Sequence, residues 1–159
     1  LNTGFLSTPH LCAVLADHGY VETAYKLLLQ DTMPGWLYQV KKGATTIWET
    51  WDGINEEGVP SASLNHYSKG AVCAWLFQTM CGIRMDGETR FVIAPRPGGS
   101  FTYAGAEYRS IYGMVRSGWR REKGKTVYTV TVPANCEAEL RIPGRMPETV
   151  DAGDYVLTV

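Results

Sequence analysis

The sequence lacks an excess of charge of either sign: 15 Lys and Arg stand against 16 Asp and Glu, a formal net charge of -1. Without a basic surface there is no electrostatic footprint for nucleic acid or anionic lipid, so no nucleic-acid partner is expected. Nor is there an apolar run near the roughly 20 residues that a membrane-spanning helix needs. Nothing at the start follows the charged, apolar and small-residue order of a signal peptide. These absences predict a soluble chain with no membrane partner. An initiator methionine is missing too: the chain opens at Leu1, and a turn-like Asn2-Thr3-Gly4 leads at once into a helical pattern, as in a segment cut from something longer.

Cysteine is sparse and unclustered. Cys12, Cys73, Cys81 and Cys136 show no C-x-x-C spacing, and each lies in an apolar or strand-like setting where a reduced thiol serves as a small hydrophobe. All four are therefore expected to be buried and reduced. The three histidines, His10, His18 and His66, are not spaced to join them around a metal, so neither structural zinc nor any other cofactor is expected. Unpaired thiols favour a cytoplasmic compartment, while a periplasmic or secreted parent stays open.

What is present is an ordinary globular composition, 45% hydrophobic and 19% charged. At 159 residues it suits one domain, or one small domain and part of another. Thr8-Pro9 is a helix-start signal, with Thr8 as the cap. Leu11, Val14, Leu15 and His18 then share a face, and Gly19 offers a left-handed stop. Val21 to Gln30 repeats the pattern through Ala24, Tyr25, Leu27 and Leu28, which predicts an antiparallel helical hairpin. A third, longer helix is expected from Ser63 or Asn65 to Gly82, with Gly70 its weak point. Past Asp86 the apolar period falls from 3.6 to 2. Tyr128, Val130 and Val132 alternate with Val127, Thr129 and Thr131. Six or seven short strands with turns at Gly98-Gly99, Lys123-Gly124, Pro133-Ala134-Asn135 and Gly153-Asp154 predict an antiparallel β-sandwich. The resulting fold class is mixed, helical and then all-β, with a boundary near Gly82 to Gly87.

Between the second and third helices runs Gly43-Ala44-Thr45-Thr46-Ile47-Trp48-Glu49-Thr50-Trp51-Asp52-Gly53, preceded by Pro34-Gly35-Trp36-Leu37-Tyr38. It is too apolar for an ordinary surface loop, and long semi-regular connections inside helical domains are usually functional. Glu49 between Trp48 and Trp51, with Asp52 alongside, is the combination a sugar site requires. Indole faces pack on the C–H face of a pyranose, and carboxylates accept from its hydroxyls or activate water. Asn65-His66-Tyr67, at the start of the next helix, can reach the same pocket. On residue chemistry alone, a buried aromatic turn explains the same run equally well.

The segments Gly4-Phe5-Leu6-Ser7-Thr8-Pro9, Gly43 to Gly53 and Ser63-Leu64-Asn65-His66-Tyr67-Ser68-Lys69-Gly70-Ala71-Val72 resemble the closing part of glycoside hydrolase family 78, the bacterial α-L-rhamnosidases. The resemblance covers nearly the whole chain. It implies that residues 1–85 are the last helices of an (α/α)6 barrel and that 86–159 are the jelly-roll-like β-sandwich after it, entered through Pro95-Arg96-Pro97-Gly98-Gly99. It also implies an inverting hydrolase of terminal α-L-rhamnosides, with Glu49 as general base, Trp51 walling the rhamnose pocket and His66 bonding sugar hydroxyls. Trp48, Asp52 and Asn65 would shape or support the wall. The family's general acid, with further rhamnose-binding residues, belongs to an upstream motif that nothing here resembles. The chain alone is therefore expected to be inactive. Helix faces at Leu11, Leu15, Leu27 and Leu28, cut off from barrel partners, would favour self-association. Two other readings compete: a non-catalytic carbohydrate-binding or scaffold module using Trp36, Trp48 and Trp51, and a helical interaction domain with a β tail.

Overall fold

The computed structural model describes residues 1, 3–55 and 57–159. Asn2 of the expected opening turn lies outside the described residues. The chain divides into two compact units, Leu1–Trp75 and Leu76–Val159. Among the described residues, no helix is long and apolar enough to cross a membrane.

The first unit is helical. α1 (Thr8–Asp17) and α2 (Val21–Leu28) form the expected hairpin. Gly19 adopts φ +86°, the left-handed conformation that lets the chain reverse within three residues. Two details of α1 differ from expectation. Ser7, not Thr8, is the residue before the helix; the Thr8 hydroxyl donates back to the Gly4 carbonyl at 2.9 Å instead of capping. The buried stripe is Thr8, Cys12 and Ala16, while Val14 is exposed and Leu11 and Leu15 are half-buried. Small side chains let the helices come close, so packing selected that stripe over the more apolar one. In α2, Ala24, Tyr25 and Leu28 are buried as expected, which removes Leu28 from any exposed face.

The expected third helix is broken. α4 (Tyr67–Gly70) ends at the weak Gly70, α5 (Val72–Trp75) resumes after Ala71, and Leu76–Met80 forms a π-helical turn. The aromatic connection also hides a short helix that alternation and turn residues did not announce, α3 (Trp36–Lys41). Gly35 precedes it where a Cβ would lie 2.5 Å from the Gln30 carbonyl oxygen, so only glycine fits.

The second unit holds eight strands in two four-stranded sheets. β1 (Ile83–Met85), β2 (Arg90–Ile93), β6 (Glu137–Leu140) and β7 (Glu148–Val150) form one, in the order β1-β2-β6-β7. β3 (Tyr103–Ser110), β4 (Gly113–Glu122), β5 (Lys125–Val132) and β8 (Gly153–Thr158) form the other, in sequence order. The expectation of purely antiparallel strands fails at one place, since β2 runs parallel to β6. The alternation in β5 is as read: Tyr128, Val130 and Val132 are buried. They join Val115 and Trp119 of β4 and Phe91, Ile93, Ala138 and Leu140 of the first sheet in the core. Trp119 donates its indole N–H to the Met80 carbonyl at 2.9 Å, satisfying the one polar atom its burial would strand. The turn residues are also as expected, with Lys123 and Gly124 at φ 49° and 80° and Asn135 at φ 62°.

Three of the four cysteines, Cys12, Cys81 and Cys136, are buried; Cys73 is exposed, against expectation. It lies at the start of α5, where the neighbouring Val72 and Trp75 take the inward positions. Burial pushes the Cys12 and Cys81 thiols up to about 11, which starves them of reactive thiolate at neutral pH. Ellman's reagent added to the native chain should titrate one thiol quickly and all four after denaturation. Two or more fast thiols would contradict this packing.

Candidate functional site

The candidate site belongs to the helical unit, and its centre is the backbone around Glu49. Gln39, buried on α3, grips the chain on both sides of that residue: its Oε1 accepts from Trp48 N at 3.1 Å and its Nε2 donates to Thr50 O at 3.0 Å. Glu49 N donates to Ser63 O at 2.9 Å. The carboxylate answers the same residue, accepting from Ser63 N through Oε2 at 3.1 Å. The Lys69 ammonium, buried on α4, donates to the Glu49 carbonyl. Backbone and side chain are thus both fixed before any ligand arrives, which is what a preorganised reacting group needs.

Glu49 lines a cavity of about 520 Å³, within the range of small-molecule sites, together with Phe5, Met33, Pro34, Trp51, Asp52 and Lys69. Trp51 stands edge-on to the buried Trp36, ring centroids 5.3 Å apart at 88°, and Trp36 donates its N–H to Lys69 O at 2.9 Å. The Lys69 ammonium sits 4.7 Å from the Trp51 ring centroid and 5.3 Å from that of Phe5. Burial lowers the Lys69 ammonium below the ordinary lysine value, while the Glu49 and Asp52 carboxylates pull it back up.

Of the residues singled out in the sequence, Glu49, Trp51 and Asp52 line the cavity. Trp48 does not: it is 2% exposed and packs under the loop, where a Cβ on Gly53 would lie 3.0 Å from its side chain. His66 precedes α4 and caps it, its Nδ1 accepting from Ser68 N at 3.2 Å. The imidazole stacks on Phe5, a cavity residue, at 4.9 Å, and on Tyr67 at 5.0 Å. Asn65 is exposed and engages Ser63 through backbone atoms, shaping the turn before His66. Sequence reading missed Ser63 and Lys69 as partners of Glu49 and Gln39 as the clamp on the residues either side of it. The one available signal was Lys69 itself, a charge three residues before Val72 on a helix face that must be buried.

The β unit has a cavity of about 590 Å³ lined by Arg84, Arg96, Arg141 and Arg145. Three of these charges are already engaged: Arg141 binds both oxygens of Glu139, Arg145 pairs with Glu148, and Arg84 donates to Gln78 O.

The family model described as the bacterial alpha-L-rhamnosidase 6 hairpin glycosidase domain matches residues 1–80. That of the bacterial alpha-L-rhamnosidase C-terminal domain matches residues 84–155. An alpha-L-rhamnosidase of Streptomyces avermitilis is 44% identical over 156 residues, covering 94% of this chain and 15% of the relative. One from Formosa agariphila is 40% identical over 149 residues, covering 90% and 16%. Among solved structures, the Streptomyces avermitilis alpha-L-rhamnosidase complexed with L-rhamnose superposes with TM-score 0.92 at 38% identity, covering 100% of this chain and 18% of that one. The alpha-L-rhamnosidase of Aspergillus terreus gives TM-score 0.92 at 32% identity, covering 100% and 20%. The chain thus spans 15–16% of the length of these curated relatives.

Proposed function

We propose, because the chain belongs to the bacterial α-L-rhamnosidase family of six-hairpin glycoside hydrolases, that it supplies the general base, Glu49, to an inverting enzyme. That enzyme would remove terminal α-L-rhamnose from glycosides or polysaccharides. Residues 1–85 would complete the catalytic barrel, and 86–159 would be the following β-sandwich. The observation that carries this reading is a carboxylate held at both backbone and side chain on the wall of a cavity that also presents the Trp51 indole.

In an inverting hydrolysis, one carboxylic acid protonates the departing glycosidic oxygen. A carboxylate on the opposite face of the ring takes a proton from the attacking water, with roughly 6.5–9.5 Å between the two groups. Glu49 suits the second role, being an acceptor already aimed by Ser63 N. Trp51 would pack on the sugar's C–H face, with Asp52 at the rim. Because His66 accepts through Nδ1, its ring N–H is on Nε2, ready to donate to a sugar hydroxyl. Trp48 would support the loop from beneath, and Asn65 would hold the turn that orients His66.

Inversion has its own signature. Proton NMR of an aryl α-L-rhamnoside digest by a full-length rhamnosidase containing this segment should show β-L-rhamnose as the first product. If the α anomer forms first, the sugar has passed through a covalent intermediate and Glu49 is not acting as a base.

A further inference from the structure

We infer that Lys69 is a positioning residue for the Glu49 base, an assignment that rests on the function proposed above. Its ammonium is drawn in against the cavity wall, although a lysine normally keeps its charge in water, and the residue as a whole is only 5% exposed. Such a position carries a desolvation cost, so the contacts it makes must have a compensating use. Those contacts converge on the site. Nζ donates to the carbonyl of Glu49 itself and lies over the faces of Trp51 and Phe5, two walls of the same cavity. The backbone carbonyl of Lys69 accepts from Trp36, the ring that backs Trp51. One side chain on α4 therefore ties the base, its flanking indole and the opposite aromatic wall to a single helix.

Gln39 and Ser63 fix the amide groups on either side of the base, but neither contacts the Glu49 carbonyl. Without the ammonium, the peptide after Glu49 loses its partner and can rotate. A base displaced by about 1 Å loses on the order of 10²-fold in rate. Lys69 touches no reacting atom in this account; it acts through Glu49.

The test is a double-mutant cycle on kcat in a full-length rhamnosidase containing this segment, with an activated aryl α-L-rhamnoside as substrate. Lys69→Met keeps the side-chain length and loses the charge and donor, and is expected to lower kcat ~10–10²-fold at an unchanged thermal midpoint. In a Glu49→Gln background, where no base remains to be positioned, the same substitution should cost less than about threefold. Should Lys69→Met not fold, Lys69→Gln takes its place in the cycle. A full loss in both backgrounds, or a kcat within about threefold of wild type in the single variant, overturns the assignment. If Glu49→Gln alone retains wild-type turnover, the base reading itself has failed, and that result is separable from any effect of Lys69.

Discussion

The chain Leu1–Val159 on its own is expected to release no aryl group from an aryl α-L-rhamnoside, even over long incubation at high protein concentration. Among the described residues, the acidic ones lining the candidate cavity are Glu49 and Asp52, three residues apart on one loop. An inverting site needs its two carboxyl groups on opposite faces of the sugar, with room for a water beside one of them. Neighbours on one loop approach from the same side, so Asp52 cannot protonate the departing oxygen while Glu49 drives water at the far face. On the proposed inverting mechanism the acid is expected from outside this chain, which spans 15–16% of the length of its curated relatives. A full-length enzyme assayed in parallel supplies the reference. Turnover by the short chain within tenfold of that reference would mean that the acid is present here, with Asp52 the residue to examine. Without general-acid assistance the expected deficit is at least ~10²–10⁴-fold.

Much of the architecture was legible because it rests on local signals. Gly19, Lys123-Gly124 and Asn135 mark turns where φ is positive, and the period-2 run through Tyr128, Val130 and Val132 identifies a half-buried strand from its own composition. The errors fall where distant partners decide. α1 buries Cys12 and Ala16 instead of Leu11 and Val14 because its neighbours are close-packed helices, and a helix in isolation carries no record of how near they come. β2 and β6 pair in parallel across more than 40 residues, a choice made by topology and not by either strand's sequence. α3 escaped notice because six residues are too few to display a helical period.

The site divides in the same way. Glu49, Trp51 and Asp52 form one short run, so a reader of the sequence meets carboxylate and indole together. The groups that hold them come from 10 residues upstream, Gln39, which bonds the flanking Trp48 and Thr50 backbone, and 14 to 20 downstream, Ser63 and Lys69, which bond Glu49 itself. Each bond has a backbone atom on one side and so leaves no paired side-chain pattern. Trp48 shows a different limit of the sequence. It looks identical to Trp51 in the sequence, yet the loop turns it into the core and leaves Trp51 on the cavity. Two tryptophans three residues apart in an irregular loop have no periodicity to say which one faces inward.

The central claim, that one carboxylate draws the proton from the attacking water, is tested most directly by substituting it alone. Glutamine preserves the shape of Glu49 and its acceptor oxygen toward Ser63 N, so the loop and the Trp51 wall should stay in place, but an amide cannot take up a proton. In a full-length rhamnosidase containing this segment, kcat of Glu49→Gln is expected to fall by ~10²–10⁴-fold, or about 3–5 kcal/mol of transition-state stabilisation. The affinity for L-rhamnose, measured by calorimetry on the same protein, should change less than about threefold. An unchanged kcat would contradict the assignment of Glu49 as the base, whatever the sugar affinity proved to be.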